Sequence, residues 1–232
     1  MVKLKKEKEE TTAAVPTVDS ALTRTERFIE ENQKTLTYVV LGILILVGGY
    51  MGYHRFMLAP KETEAQKAIY QAENYFARDS FRLALDGDGT NLGFTNIIED
   101  YSITKTAGLA SYYAGICYLN LGEYESAIEY LKKYKGDDEI IRPLAFGAMG
   151  DAYAELGANE DAANSYMKAA RASENAFTAP MFLLKAGQVY EELKDFDAAL
   201  KAYERIKKDF SKSSEGASID KYIGRARVLA GK

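Results

Sequence analysis

A short element, Gly-x-x-Tyr, recurs three times in the second half of the chain and limits the folds open to it. The copies begin at Gly115, Gly150 and Gly187, so they are spaced by 35 and 37 residues. Each copy is followed at a fixed distance by a turn, then a small residue, then a large one. The small residues are Ala127, Ala162 and Ala199, and the large ones are Leu131, Tyr166 and Tyr203. Self-similarity at this period predicts a linear stack of structural units rather than one closed core.

The residue types in these copies are those that paired α-helices require. Glycine and alanine stand where two helices touch, so only small side chains fit there, and the tyrosine fills the space beside the contact. The period is close to the 34 residues of tetratricopeptide repeats, each of which is a helix–turn–helix. The sequence therefore predicts an all-α fold, a tetratricopeptide-repeat α-solenoid. Three repeats occupy residues 108–214, and a capping helix occupies residues 215–232.

A degenerate first repeat is predicted for residues 58–107. Ala72 and Tyr75 take the places of the glycine and the tyrosine, and Ala84 takes the place of the small residue. An inserted loop rich in Gly and Asp, residues 86–93, interrupts the second helix before it resumes.

An uncharged stretch of 19 residues, 35–53, lies between Lys34 and His54. At ~1.5 Å per residue, a helix of this length is about 28 Å long, close to the thickness of a bilayer's hydrocarbon core. A buried core helix would show one polar face, and a cleaved signal peptide would start sooner and end in small residues. The pattern favours an uncleaved transmembrane helix, which we place at residues 35–57.

The tail before this stretch, residues 1–34, is polar and charged. Thr23 and Glu26 form a capping-box pattern, which predicts a short amphipathic helix through Glu31. Positive charges within about twenty residues of the two ends of the span are balanced, so they do not set its orientation. Four lysines further out favour a cytoplasmic amino terminus: Lys3, Lys5, Lys6 and Lys8.

Within the apolar stretch, Gly48 and Gly52 are four residues apart. Small residues at this spacing allow a second helix to approach closely, which makes the pair a candidate for transmembrane packing. Glycine is also common in membrane helices for no specific reason, and both interpretations remain open.

The sequence offers little for catalysis or metal binding. The only histidine, His54, adjoins the apolar stretch, and Cys117 is the only cysteine. A Ser-His-Asp triad or a zinc cluster within the repeats is therefore excluded. Asp86 and Asp88 resemble the start of a calcium loop, but Ile97 stands where its bidentate acid belongs. We expect no enzyme activity, no cofactor and no metal, and the net charge of −4 argues against nucleic acid.

A protein-binding groove is then the main functional expectation. The first helix of each repeat should line the concave face of the stack, which would run from apolar to acidic. The predicted groove residues are Leu109, Tyr112, Ile116, Leu119, Asp151, Glu155, Gln188, Glu191 and Glu192. Alternatively, the apolar end of this set packs against the degenerate first repeat.

Two fragments carry a resemblance to a known family. The segment Arg24-Thr-Glu-Arg-Phe-Ile-Glu-Glu-Asn32, together with the apolar run and degenerate repeat after it, resembles the YfgM-like family of bacterial inner-membrane proteins. Residues 81–94 are similar to the version found in Bacteroidota. The resemblance implies a cytoplasmic amino terminus and a periplasmic repeat domain. It also implies association with the SecYEG translocon and a PpiD-like periplasmic chaperone.

Two functions compete at this stage. The first is an ancillary translocon subunit that helps to pass secreted proteins to periplasmic chaperones. The alternative is a scaffold for envelope assembly or cell division with no link to the translocon. Crosslinking from the anchor would separate the two.

Overall fold

A computed structural model describes residue 26 and residues 28–232 of the chain. The predicted all-α class is confirmed, since these residues contain no β-strand and their only β feature is an isolated antiparallel bridge between Gly87 and Leu92. The capping box that begins at Thr23 lies outside the described residues, while residues 28–31 are helical.

The chain divides into two compact units, Met1–Arg55 and Phe56–Lys232. In the first, α1 spans Gln33–Tyr53 and has no buried residue. This helix is long and apolar enough to cross a membrane, and its lack of buried residues distinguishes it from a core helix. The predicted span, 35–57, extends past the regular α-helix, because His54–Leu58 is a π-helical segment. A hydropathy pattern does not register such a change of helical pitch.

The second unit is built from short helices joined by tight turns. They are α2 (Ala59–Phe76), α3 (Phe81–Asp86), α4 (Phe94–Asp100), α5 (Lys105–Asn120), α6 (Tyr124–Lys133), α7 (Ile141–Glu155), α8 (Asn159–Ala172), α9 (Thr178–Glu192), α10 (Phe196–Asp209) and α11 (Ile219–Leu229), with a 3₁₀ turn at Gly216–Ser218. The pairs α5–α6, α7–α8 and α9–α10 are the three repeats. Most tertiary contacts join helices that follow one another along the chain, as expected for a linear stack.

Each repeat glycine lies directly beneath a large side chain of the second helix. The pairs are Gly115 with Leu131, Gly150 with Tyr166, and Gly187 with Tyr203. A Cβ on Gly150 would lie 2.5 Å from Cε1 of Tyr166, closer than van der Waals contact allows. The small residues of the second helices are fully buried as well: Ala127, Ala162 and Ala199. The predicted helix contact is therefore present in all three repeats.

The first helix of each repeat ends in the same backbone motif. The N–H after the turn donates a bond of 2.9 Å to a tyrosine carbonyl in three places: Glu123 to Tyr118, Ala158 to Tyr153, and Asp195 to Tyr190. The turn residue adopts a left-handed conformation, with φ of +77° at Gly122, +72° at Gly157 and +60° at Lys194. This is a Schellman cap, which glycine fits without strain. Lys194 takes the strained conformation in the last repeat.

The inserted loop of the degenerate first repeat is held by hydrogen bonds from its own backbone to the side chain of Asp88. One carboxylate oxygen of Asp88 accepts hydrogen bonds from the N–H groups of Thr90 (2.8 Å) and Asn91 (2.6 Å), and the other accepts from the Tyr75 hydroxyl (2.7 Å). These bonds, led by that from the Asn91 backbone, hold the pKa of Asp88 well below its usual range. The geometry is that of a plain turn anchored to α2.

Candidate protein-binding surfaces

The second unit contains a groove of about 1120 Å³, which we call the amino-terminal groove. It lies between α2, the first half of α5 and the segment that joins α6 to α7. Its lining includes Ile69, Glu73, Ile103, Leu109, Tyr134 and Ile141. Burial raises the pKa of Glu73. The groove therefore offers an apolar floor with carboxyl groups from Glu62, Glu73, Asp137 and Asp138, and its rim carries exposed lysines at 105 and 135.

Glu62 fixes the distance between the two helices that form this groove. Its carboxylate accepts from the Lys105 N–H at 2.7 Å, the Thr106 N–H at 3.2 Å and the Thr106 hydroxyl at 2.6 Å. Thr104 caps the next free donor, the Ala107 N–H, at 3.0 Å. Burial raises the pKa of Glu62, but these hydrogen bonds outweigh it and the pKa is lowered. The backbone N–H groups at the amino end of α5 are thus hydrogen-bonded by Glu62 of α2 and by Thr104.

The four apolar residues predicted for the concave groove fall into two groups. Leu109 lines the amino-terminal groove. Tyr112, Ile116 and Leu119 are half-buried and pack on a cluster that contains Met149 of the next repeat. The structure thus places these three in the contact between the α5–α6 and α7–α8 repeats. Leu109 packs against the degenerate first repeat.

Two of the predicted acidic residues contact tyrosines of the repeat stack. Asp151 accepts from the hydroxyl of Tyr166 and from Nζ of Lys185, both at 2.6 Å. Burial, and then donation to Asp151, raise the pKa of Tyr166. Glu155 accepts from the hydroxyl of Tyr124 at 3.3 Å. Because Lys185 belongs to the next repeat, Asp151 links two neighbouring repeats.

The acidic positions of the last repeat border a second, smaller cavity of about 620 Å³. Gln188 and Glu192 are exposed on its wall. Glu191 is bound by the guanidinium of Arg225, with contacts of 2.6 and 3.3 Å. The hydroxyl of Tyr203 is buried and has no hydrogen-bond partner among the residues that the structure describes. The capping helix therefore engages Glu191, and the Tyr203 hydroxyl lies beside this ion pair without a hydrogen bond of ordinary geometry.

The two glycines of the apolar helix α1 are open to contact. At both Gly48 and Gly52, an added Cβ would meet no atom within 4 Å among the described residues. Their role in packing stays a prediction.

Sequence reasoning missed most of the amino-terminal groove. Glu62, Ile69 and Glu73 are spaced by seven and four residues, which places them on one face of α2. This helical spacing is the signal that could have identified them. The segment 133–138, which closes the groove, shows no comparable pattern.

Chemically reactive groups are sparse in the part of the chain that the structure describes. Among these residues no group of three or more His, Cys, Asp or Glu side chains is placed to hold a metal ion. Cys117 is fully buried, and burial raises its pKa to about 12, so it stays a neutral thiol.

Comparison with known proteins agrees with the repeats. The tetratricopeptide-repeat pattern matches residues 109–137 and, in a second form, residues 148–214. The crystal structure of the MamA protein matches the fold with a TM-score of 0.50 and 17% sequence identity, over 72% of this chain and 92% of that one. No curated protein matches the sequence significantly. The chain therefore carries tetratricopeptide repeats, a fold that typically serves as a non-catalytic scaffold for binding other proteins.

Proposed function

We propose that this chain is a membrane-anchored protein-binding module and that the amino-terminal groove is its main binding surface. The observation that carries this proposal is the groove of about 1120 Å³ on a tetratricopeptide-repeat stack, in a chain that also has an apolar helix long enough to span a membrane.

The lining of the groove suits a peptide segment with apolar and basic side chains. Ile103, Leu109 and Ile141 provide apolar surface that a partner side chain would bury, at ~25 cal/mol per Å². The partly buried carboxyl of Glu73 would accept from a lysine or arginine of the partner. Because Glu62 holds α2 against α5, the groove is preformed, which reduces the entropic cost of binding.

Photocrosslinking from the groove tests this assignment. A photoreactive residue at Gln66, which is exposed on the groove wall, should capture a partner in native membranes. The matched control is the same residue at Lys201, exposed on α10 and away from the groove. Equal capture at both positions would show that the groove is not the binding surface.

For the partner, we propose the SecYEG translocon together with a PpiD-like chaperone. The support is the resemblance of residues 24–32 and 81–94 to the YfgM-like family. The proposed location is the bacterial inner membrane, with residues 1–34 in the cytoplasm, residues 35–57 across the bilayer and the repeats in the periplasm. The alternative is a scaffold for envelope assembly or cell division.

Affinity purification in mild detergent separates the two functions. Recovery of translocon subunits that are crosslinked through the anchor would support the translocon role. Recovery of envelope-assembly factors without SecY would support the scaffold role.

Topology can be measured independently of the partner. Cys117 is fully buried, so a cysteine introduced at exposed Lys168 would be the reactive one. Labelling of Lys168→Cys by a membrane-impermeant maleimide in intact spheroplasts is expected for periplasmic repeats. Labelling only after lysis would reverse the proposed orientation.

A further inference from the structure

The predicted capping helix, α11, continues the series of repeat glycines. Gly224 follows Gly187 by 37 residues, the interval that separates Gly187 from Gly150. The buried face of α11 also matches that of α9. Three residues of α11 and the three that stand 37 positions before them are all buried: Ile219, Ile223 and Ala226, with Phe182, Ala186 and Val189. The helix therefore has the spacing and the packing of a repeat's first helix.

The end of α11 repeats the turn that closes each first helix. Gly231 follows Gly224 by seven residues, as Gly157 follows Gly150, and its φ is +71°. The N–H of Lys232 donates to the carbonyl of Arg227 at 2.9 Å, which is the bond that completes the Schellman cap in the three repeats. In those repeats the same cap leads directly into the second helix.

The surface that a second helix would cover is open on α11. In the three repeats the glycine is buried beneath a large side chain of the second helix. Gly224 is exposed instead, and an added Cβ there would meet no described atom within 4 Å. Val228, one turn later, is 77% exposed, whereas its equivalent Leu119 packs on a cluster that contains Ala127 and Ile128 of α6. We call this surface the open face of α11, defined by Gly224 and Val228.

The charged side chains around the open face are paired within the chain. Four ion pairs bind them: Arg225 with Glu191 (2.6 Å), Arg227 with Glu204 (2.9 Å), Asp220 with Lys207 (2.7 Å), and Lys232 with Asp197. The remaining charged residue of α11, Lys221, lies 4.9 Å from the centre of the Tyr222 ring. Because these charges are matched internally, we expect the open face to select a partner by shape and apolar contact.

The three covered faces show which kind of helix fits. Each second helix carries an alanine and, four residues later, a leucine or tyrosine that lies over the glycine: Ala127 and Leu131, Ala162 and Tyr166, Ala199 and Tyr203. In the part of the chain that the structure describes, every alanine with leucine or tyrosine four residues later is itself buried. A second copy of the folded chain therefore has no free helix of this kind to offer.

We propose that the open face of α11 binds an amphipathic α-helix of a partner protein, which takes the place of the second helix of a fourth repeat. The partner helix carries a small residue at the contact and, four residues later, a leucine or aromatic side chain over Gly224. Helix docking of this kind is a common mode of peptide recognition. The site is at the opposite end of the stack from the amino-terminal groove and does not depend on the function proposed for that groove.

A synthetic peptide with the sequence of α10 tests this pattern. Residues 195–210 include the Asp195 cap, Ala199 and Tyr203. The fluorescently labelled peptide is titrated with the full-length chain in mild detergent, and its anisotropy is measured. We expect saturable binding. Filling the site with Gly224→Leu in the protein, or removing the ring with Tyr203→Ser in the peptide, should each weaken binding by at least about tenfold.

Gly108→Leu is the matched control variant. An added Cβ at Gly108 also meets no described atom within 4 Å, and Gly108 lines the amino-terminal groove. Binding should be unchanged in Gly108→Leu. Binding that is lost in Gly108→Leu and retained in Gly224→Leu would assign the peptide to the groove and overturn this proposal alone. Dimerisation of the full-length chain that Gly224→Leu abolishes would make a second copy the occupant, which also overturns it.

A covalent version of the test removes the dependence on peptide affinity, since a free peptide of this length is only marginally helical. Residues 196–210 are joined directly after Lys232, whose N–H bond matches that of Asp195. The attachment raises the local concentration of the helix. We expect this chain to melt at a higher temperature than the same extension with Tyr203→Ser in the appended copy, and Gly224→Leu should abolish the difference. Equal melting of the two extensions on the parent chain overturns the proposal, whatever the free peptide does.

Discussion

Gly150 offers the sharpest test of how the repeats are packed. Its missing side chain leaves room for Tyr166, whose ring carbons would lie 2.5 and 2.6 Å from a Cβ at this position. The ring has little freedom to move, because Tyr166 is 4% exposed and its hydroxyl is bound to Asp151 at 2.6 Å. Replacing Gly150 by Leu therefore forces two helices apart.

The size of the effect is a balance of two contributions. Leucine is favoured over glycine in a helix interior by about 0.8–1 kcal/mol. Overpacking a filled site costs ~1–3 kcal/mol, and the rigid ring places Gly150→Leu at the upper end. The expected net loss is about 2 kcal/mol, which lowers the melting temperature by about 4–8 °C for a unit of this size.

The assay is thermal unfolding of residues 58–232 followed by circular dichroism. Gly108→Ala is the matched control, because a Cβ on Gly108 meets no described atom within 4 Å and should raise the melting temperature by ~2–4 °C. In a Tyr166→Ala background, Gly150→Leu should cost much less than in the parent, because the added side chain fills the vacated space. Unchanged melting of Gly150→Leu, or additivity of the two substitutions, would refute the packing.

Four further results are expected. Residues 58–232 alone should be monomeric and rich in helix, and a dichroism spectrum dominated by β-structure would contradict the fold. Glu62→Ala should destabilise the protein by ~0.5–2 kcal/mol at neutral pH, as for a lost helix cap. The folded-state pKa of Glu62 lies below 4.5, so its stabilising contribution is present above that pH and is lost as the pH falls through the lowered pKa. The melting temperatures of mutant and parent should therefore converge in acid. Lys194→Gly should relieve left-handed strain and stabilise by up to ~1 kcal/mol, measured by urea unfolding. Replacing both Gly48 and Gly52 by Leu should abolish copurification of a membrane partner at equal membrane content, and undiminished recovery would assign the association to another part of the chain.

The repeat contacts were predictable from sequence because their cause is local and steric. Gly150 and Ala162 are twelve residues apart in one helix–turn–helix, and the requirement for small residues there appears in every copy. The same holds for the turn glycine, Gly157, whose left-handed φ follows from the Schellman cap.

The amino-terminal groove was not predictable in the same way, because it depends on contacts distant in sequence. Glu62 binds the start of α5 across 43 residues, and nothing in its local sequence identifies that partner. Tyr112 and Ile116 were predicted as groove residues from the repeat pattern alone. Their positions correspond to a concave surface in a regular repeat, but they are large enough to pack on the neighbouring α7, which covers part of their surface.

A pair of equivalent tyrosines near the end of the stack indicates which end of the molecule unfolds first. Tyr166 and Tyr203 occupy equivalent positions, but the hydroxyl of the former is bound to Asp151 at 2.6 Å, while that of the latter lies beside Glu191 and Arg225 without a hydrogen bond of ordinary geometry. A buried hydroxyl that lacks a good hydrogen bond costs ~1–3 kcal/mol, which lowers the stability of the last repeat. Linear arrays open in parts, and the weakest part opens first. A protease would therefore shorten the protein from its free end and leave the amino-terminal groove, at the other end of the stack, until last.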